Sequence, residues 1–305
     1  MLEVCLLGTG GMMPLKYRFL TSLYTEYQGK GFLIDCGEGT QVAMTVHGCK
    51  LSRIGHILIT HTHADHIAGL PGLLLSVGNS GRTAPVTVSV PESGVKDIEA
   101  LMSICGELPF GVEISPVSEN QPEKFTLDSV SPLLTVSTLP LSHTVPCIGY
   151  SAELKRPPVF IPERAKELGV PVEHWKELHA GIPVTLEDGT MVFPEQVTGS
   201  QRTPLKLTYT TDTLPIEGIA GFASGSDLFI CEGMYGDTGK KVSMNEKGHM
   251  LMQDACRLAA EAGAKRLWLT HYSPAMKEPE EYTGELEELF PEVIVSADGE
   301  RTMLK

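Results

Sequence analysis

The sequence predicts an α/β chain, an αββα sandwich carrying a projecting arm. Short apolar runs alternate with helical stretches along most of its length, the pattern of sheets covered by helices. Histidines and aspartates recur just after those runs. Residues 155–204 break the rhythm with seven prolines and mixed charge, the texture of an insertion that projects from the layers.

Leu2–Leu7 and Phe32–Cys36 are apolar runs bounded by glycines and read as buried strands. Between them lies a loop punctuated by Gly8, Gly10, Gly11 and Pro14. His56–Thr60 is a β-rich run that ends in a histidine cluster, and Ile67–Val77 reads as a helix containing Pro71. Val86–Val90, Leu133–Leu139, Ile148–Leu154, Leu205–Thr210, Leu228–Cys231 and Leu267–Thr270 read as further strands. Met250–Ala262 is a helix, with Met252, Ala255, Cys256 and Ala259 at helical spacing. Within the arm, Pro162–Leu168 is a short helical stretch. The 305 residues suit one domain, 1–305, holding the arm at 155–204.

Composition narrows the class. No stretch of about 18 apolar residues offers a membrane span. The N-terminus lacks a basic, cleavable leader and reads as a first strand. Seven scattered cysteines without a CxxC pair fit reduced thiols in a cytoplasm. The net charge of −14 disfavours a nucleic-acid partner at first sight, but residues 271–300 alone contribute −8 and read as a solvated acidic helix face. The first 55 residues are slightly basic, so global charge does not decide the substrate.

The chemistry concentrates in Thr60-His61-Thr62-His63-Ala64-Asp65-His66. At a strand end the side-chain period is two, so His61 and His63 point the same way. Asp65 and His66 then turn into the next helix and face a second point. One segment can thus serve two adjacent metals, and imidazole with carboxylate suits zinc. His143, Asp212 and His271 each follow a predicted strand. Taken singly, each is more often structural; their shared placement completes two sites. His61, His63 and His143 fall on one metal, Asp65, His66 and His271 on the other, with Asp212 bridging. Two ions about 3.5–4 Å apart would clamp the attacking and leaving oxygens of a displacement and acidify a water, which Asp65 can orient. A leaving alkoxide also needs a proton. His249 at a helix head is the candidate acid and Glu232 its holder, although His249 alone reads more readily as a surface histidine capping a helix.

With these residues in view, the sequence resembles the short, bacterial form of ribonuclease Z, of the metallo-β-lactamase superfamily, across essentially the whole chain. The matches are Leu7-Gly-Thr-Gly, Ile34-Asp-Cys-Gly-Glu-Gly-Thr-Gln, Ile59 through the histidine cluster to Leu73, Ser142-His-Thr-Val-Pro, Asp212-Thr and Leu269-Thr-His-Tyr-Ser-Pro. Leu168-Gly-Val-Pro, Leu186-Glu-Asp-Gly and Phe193-Pro-Glu-Gln-Val-Thr-Gly resemble the family's flexible arm. The resemblance implies a metallo-β-lactamase fold, two zinc ions per chain and cleavage of the 3′ trailer from precursor tRNA. It also implies an arm that grips the tRNA, commonly presented across a homodimer.

The chain departs from the family where RNA is read. The family's Pro-x-Lys-x-Arg-Asn loop is here Pro14-Leu-Lys16-Tyr-Arg18-Phe19, and its His-Glu-Ala-Thr is Cys231-Glu-Gly-Met. Lys16 and Arg18 are candidates for phosphate contacts. Phe19 either stacks on a base or packs beside Leu20. On the arm, Lys155, Arg156 and Lys176 are the candidate RNA contacts. Yet Glu153 to His179 carries five bases and five acids, a neutral surface poor for a phosphate clamp. The second reading is therefore a divergent zinc phosphodiesterase acting on a smaller ester.

Overall fold

Strands that run hydrophobic on both faces must be covered on both faces, and the chain achieves this with two stacked sheets inside two helical layers. A computed structural model describes residues 1–305, with the side chains of 240–243 outside the description. It resolves two compact units: Met1–Glu153 with Lys206–Lys305, and Leu154–Leu205.

The first unit holds two seven-stranded sheets. One orders its strands Glu300–Leu304, Leu2–Gly8, Ser22–Tyr27, Lys30–Ile34, Ile54–Leu58, Val86–Pro91 and Val112–Val117. The other orders Val293–Val295, Leu267–Thr270, Leu228–Glu232, Leu205–Thr210, Cys147–Leu154, Leu134–Leu141 and Lys124–Thr126. Part of each sheet is parallel, from Lys30–Ile34 to Val112–Val117 and from Leu205–Thr210 to Val293–Val295. Parallel neighbours need crossovers, and helices supply them. Met44, Leu70, Leu73, Leu74 and Ile98 from three helices pack on the first sheet. Ala255, Cys256, Ala259 and Leu286 pack on the second. The sheets meet where the Tyr150 hydroxyl donates to the Ile59 carbonyl (2.7 Å) and His56 stacks on Phe125. No helix is long and apolar enough to cross a membrane.

Several sequence expectations need adjustment. The helix expected over Ile67–Val77 is two pieces, Ala64–Ile67 and Leu70–Asn79. Pro71 lies in the first turn of the second piece, where a missing N–H costs no helical bond. The strand expected over Phe32–Cys36 stops at Ile34, because Asp35 turns out of the sheet with φ +61°. Ser22–Tyr27, Val112–Val117 and Glu300–Leu304 are strands without a clean apolar alternation. In the acidic stretch, Glu285, Glu287 and Glu288 lie exposed on helix Thr283–Leu289. Asp298 differs: it turns inward and accepts from the Thr9 N–H and hydroxyl and from the Phe19 N–H.

The second unit has its own small core of Ala165, Val170, Leu178, Val184, Val192 and Val197. Three short helices, Pro162–Glu167, Trp175–His179 and Pro194–Val197, and a two-stranded ribbon of Val184–Thr185 with Met191–Val192 surround it.

Candidate metal centre

The centre assembles at the carboxyl ends of strands, where an open α/β sheet exposes backbone and side chains to a ligand. The Ile54–Leu58 strand leads into Thr60, His61 and His63; Leu134–Leu141 into His143; Leu205–Thr210 into Asp212; Leu267–Thr270 into His271. Asp65 and His66 lie on the short helix Ala64–Ile67.

These seven side chains form two facing groups. The ring nitrogens of His61 (Nε2) and His143 (Nε2) lie 3.1 and 3.2 Å from Nδ1 of His63. Those of His66 and His271 (both Nε2) lie 3.2 Å apart, with Asp65 Oδ2 at 3.7 and 3.4 Å from them. Asp212 sits between. Its Oδ1 is 3.4 Å from His66 and 3.1 Å from His271, and its Oδ2 is 3.7 Å from both His61 and His143. The His61–His63–His143–Asp212 and Asp65–His66–His271 groups each converge closely enough to hold one cation.

On the His61–His63–His143 side the protonation states already suit metal binding. Burial pushes His61, His63 and His143 down, leaving the neutral imidazole that ligates. Burial alone would raise Asp212, but His271, His66 and His61 outweigh it and hold the carboxyl ionised. Asp65 likewise stays ionised against burial, through His271 and His66. Burial would lower His66, but Asp212 and Asp35 raise it, so this ring gives up its proton when it ligates. The imidazoles and ionised carboxylates together make a donor set for a divalent cation such as zinc.

A surrounding layer fixes the rings. Asp35, fully buried, accepts from His66 Nδ1 (2.8 Å) and from the Thr60 N–H and hydroxyl. Thr60 Oγ1 is in turn 3.0 Å from His61 Nδ1. The Gly248 carbonyl accepts from His143 Nδ1 (2.8 Å). Met12 donates its N–H to Asp65 Oδ2 (2.6 Å). Gly11 lets this loop lie on His271: a Cβ there would come within 2.6 Å of the imidazole. His271 itself adopts φ +58°, a conformation uncommon outside glycine that concentrates at functional sites. Asp35 and Gly248 were not among the residues singled out from the sequence. A lone acid ending an apolar run was the available signal for Asp35; a backbone carbonyl leaves none.

His249 lies at the rim, just ahead of helix Met252–Ala262, and its Nδ1 is 3.1 Å from Glu232 Oε2. Burial would lower this imidazole, but the charge and hydrogen bond of Glu232 raise it to about 9. Glu232 is fully buried and also accepts the Thr213 N–H. His249 Nδ1 is 4.0 Å from Asp212 Oδ2, so the pair borders the ligand set. A cleft of about 450 Å³ opens over the centre, lined by His63, Asp65, His143, Asp212, His249 and His271 among others.

The remaining candidates separate. Lys16 is exposed. Arg18 is buried: its guanidinium donates to the Met276 and Lys277 carbonyls and lies 5.2 Å from the Tyr272 ring centre. It is thus a strut of its loop, which corrects its reading as an open phosphate contact. Phe19 takes the packing alternative, half-buried against the first helical core and edge-on to His47. In the second unit Lys155 and Lys176 are exposed, and Arg156 donates to the Thr203 carbonyl.

Comparison with known proteins gives the lineage. A family profile described as "Anti-Pycsar protein Apyc1" matches residues 2–101, a third of the chain. Solved folds align along the full length at lower identity. They include the short form of human tRNase Z (TM-score 0.69, 23% identity, 99% of each chain). Another is the metallo-β-lactamase fold protein YhfI of Bacillus subtilis (TM-score 0.69, 18% identity, 99% of this chain and 98% of that one). The chain therefore has the metallo-β-lactamase fold. A protein of Lachnoclostridium phytofermentans named ribonuclease Z is 47% identical over 98% of this chain and 96% of its own. One of Lachnospira eligens with the same name is 43% identical over 100% and 98%. Identity at that level along both full lengths means that the chain belongs to the ribonuclease Z family, the metal-dependent endoribonucleases of the metallo-β-lactamase superfamily.

Proposed function

We propose that this chain holds two zinc ions and releases the 3′ trailer of precursor tRNA by hydrolysing one phosphodiester. The observation that carries the reading is Asp212, whose two oxygens face two separate ligand groups. His61, His63 and His143 would hold one ion, and Asp65, His66 and His271 the other. When bound, the pair supplies charge that draws in the phosphate and acidity that turns water into a nucleophile near neutral pH. Asp65, steadied by the Met12 N–H, orients the attacking water. His249 has its Nδ1 committed to Glu232, so Nε2 is the atom that delivers a proton to the leaving oxygen. Glu232 stabilises the charged imidazole that must be present beforehand. The ribonuclease Z names of the relatives support tRNA as substrate. Lys16, Lys155, Arg156 and Lys176 are the basic side chains proposed to meet RNA. The resemblance that implies an arm also makes a homodimer the expected assembly, which light scattering on the purified protein tests, and the scattered cysteines without a CxxC pair make the cytoplasm the expected compartment.

A smaller phosphodiester is the second reading, favoured by the neutral arm: residues 154–205 carry six bases and seven acids. One experiment separates the two. Purified protein is given precursor tRNA and bis(p-nitrophenyl) phosphate, with chelator and with zinc restored. Zinc-dependent removal of the trailer is expected. Turnover of the nitrophenyl ester with the trailer left intact would move the assignment to the second reading.

A further inference from the structure

A second cleft of about 450 Å³ adjoins the metal centre, and the nuclease mechanism does not use it. It shares Met12 and Lys247 with the cleft over the ligands. Its walls are otherwise unlike that neighbour. Met12, Tyr235, Met276 and Tyr282 bring thioethers and aromatic rings to it, beside Asp237, Lys247 and Ser273, where the metal cleft presents imidazoles and carboxylates. Such a surface offers π-faces and polarisable sulfur to a flat partner. Gly236 shapes it: a Cβ there would come within 2.4 Å of the Tyr282 ring, so only glycine lets that ring lie against the backbone.

We propose that this cleft is a stacking subsite for the unpaired base of the nucleotide that carries the leaving oxygen. The proposal rests on the nuclease reading above. The assignment to one side of the scissile bond comes from Tyr235, whose ring stands edge-on to His249 at 6.3 Å. The leaving oxygen must come within hydrogen-bond reach of His249, so its nucleotide lies on the Tyr235 side of the phosphate. Lys247, exposed where the two clefts join, is placed to meet that nucleotide's own backbone. Met12 ties the subsite to the chemistry, because the residue whose side chain lines the cleft also donates its N–H to Asp65. The subsite falls where the chain departs from its family. Cys231-Glu-Gly-Met runs directly into Tyr235, so the departure borders the ring that lines the subsite. Stacking tolerates every base and grows with ring area, so the expected preference is purine over pyrimidine rather than one base.

The test uses precursor tRNA with a single abasic nucleotide on the leaving side of the scissile bond. Stacking of one base corresponds to about a tenfold loss in kcat/KM for the wild-type holoenzyme. Tyr235→Leu is expected to lose a similar factor on the intact precursor and little more on the abasic one. Full multiplication of the two losses, or no loss from the abasic site in the wild type, overturns the subsite. A second measurement does not depend on RNA cleavage. The better of adenosine 3′- and 5′-monophosphate is expected to inhibit bis(p-nitrophenyl) phosphate hydrolysis about tenfold more tightly than inorganic phosphate, an advantage that Tyr235→Leu removes. Equal inhibition by nucleotide and phosphate also overturns it. A precursor left uncut by the wild type counts against the nuclease reading alone, and the inhibition ratio then decides the subsite.

Discussion

In the ligand-bearing unit the functional rings are gripped twice, and in the arm the candidate contacts are hardly gripped at all. His66 has Asp35 behind it, His143 the Gly248 carbonyl and His249 the Glu232 carboxylate. His66 and His143 thus each have Nδ1 held while Nε2 faces the centre. Among the described residues, Lys155 and Lys176 make no side-chain hydrogen bond or ion pair, and both are exposed. Their unit rests on six buried apolar residues, while Val159, Val172, Ile182 and Met191 stay more than half exposed. Chemistry that moves a proton requires positions fixed to a fraction of an ångström. Contact with a large, deformable RNA does not, and a surface that keeps its side-chain freedom can adapt to it. On the proposed function, the comparison predicts that substitutions in the first unit act on rate and those in the second on choice of substrate.

The largest effects belong to the ligands. His63→Ala removes the nitrogen on which His61 and His143 converge, and activity on every substrate is expected to fall by about 10³-fold or more. The sheets that carry the core lie behind the centre, so the circular dichroism spectrum should persist. Metal analysis on the zinc-replete protein should find less than the two ions expected of the wild type. Two ions retained in the variant would remove His63 from the ligand set.

His249→Ala should keep both ions and slow trailer removal by roughly 10²–10⁴-fold. A nitrophenolate leaves without a proton, so bis(p-nitrophenyl) phosphate turnover should change far less. Equal losses on the two substrates would mean that His249 does not deliver the proton. Glu232→Gln is expected to follow the same pattern with a smaller loss, since it leaves the imidazole in place and weakens only its charge.

Asp35→Asn measures how much the grip itself contributes. Partners behind a ligating histidine are typically worth 10–100-fold in metal affinity. The variant should therefore need correspondingly more free zinc to reach half-maximal activity, read by titration in a metal buffer. An unshifted zinc midpoint would make Asp35 a support of the fold only. This residue also marks how far the sequence could be read. The HxHxDH cluster and the downstream His143, Asp212 and His271 were legible because strand ends put period and position on display. Asp35 stood inside the Ile34-Asp-Cys-Gly match, but its role was hidden, since that follows from a turn at φ +61° that brings it beneath His66, thirty-one residues away. The sheets divide the same way. Runs such as Leu2–Gly8 and Leu228–Glu232 are buried on both faces and announce themselves. Ser22–Tyr27 and Glu300–Leu304 hold their places through pairing with the first strand, and a local pattern does not record that.

The arm offers the converse test. Leu178 is fully buried in a core of six, and Leu178→Ala costs roughly 2–5 kcal/mol, much of what so small a core contributes. Precursor tRNA cleavage is expected to drop while bis(p-nitrophenyl) phosphate hydrolysis stays near the wild-type rate. Leu178→Met conserves volume and should restore the RNA activity. A parallel fall in both activities in Leu178→Ala would make the arm part of the chemistry and dissolve the division between the units.

The smallest expected effect belongs to Phe19, which stands where the family carries an asparagine in a loop that meets the tRNA 3′ end. Its position decides on which side of the comparison it falls. The ring packs on the first helical core and meets His47 edge-on, and its N–H is held by Asp298. Next to it Arg18 is spent on the Met276 and Lys277 carbonyls. Phe19 is thus gripped like the residues that set geometry, without facing the centre they surround. Phe19→Asn replaces a half-buried ring by an amide with no apolar surface to offer, at a cost of roughly 1–3 kcal/mol. Thermal unfolding should shift down by several degrees. The relative rates on precursors with and without a 3′-terminal CCA should be the same in the variant as in the wild type, because a side chain turned inward reads no base. A changed ratio with an unchanged midpoint would turn Phe19 outward and return it to the RNA. Lys16, exposed three residues earlier, is the control. Lys16→Ala should weaken both precursors alike, since a phosphate contact positions RNA without distinguishing its sequence.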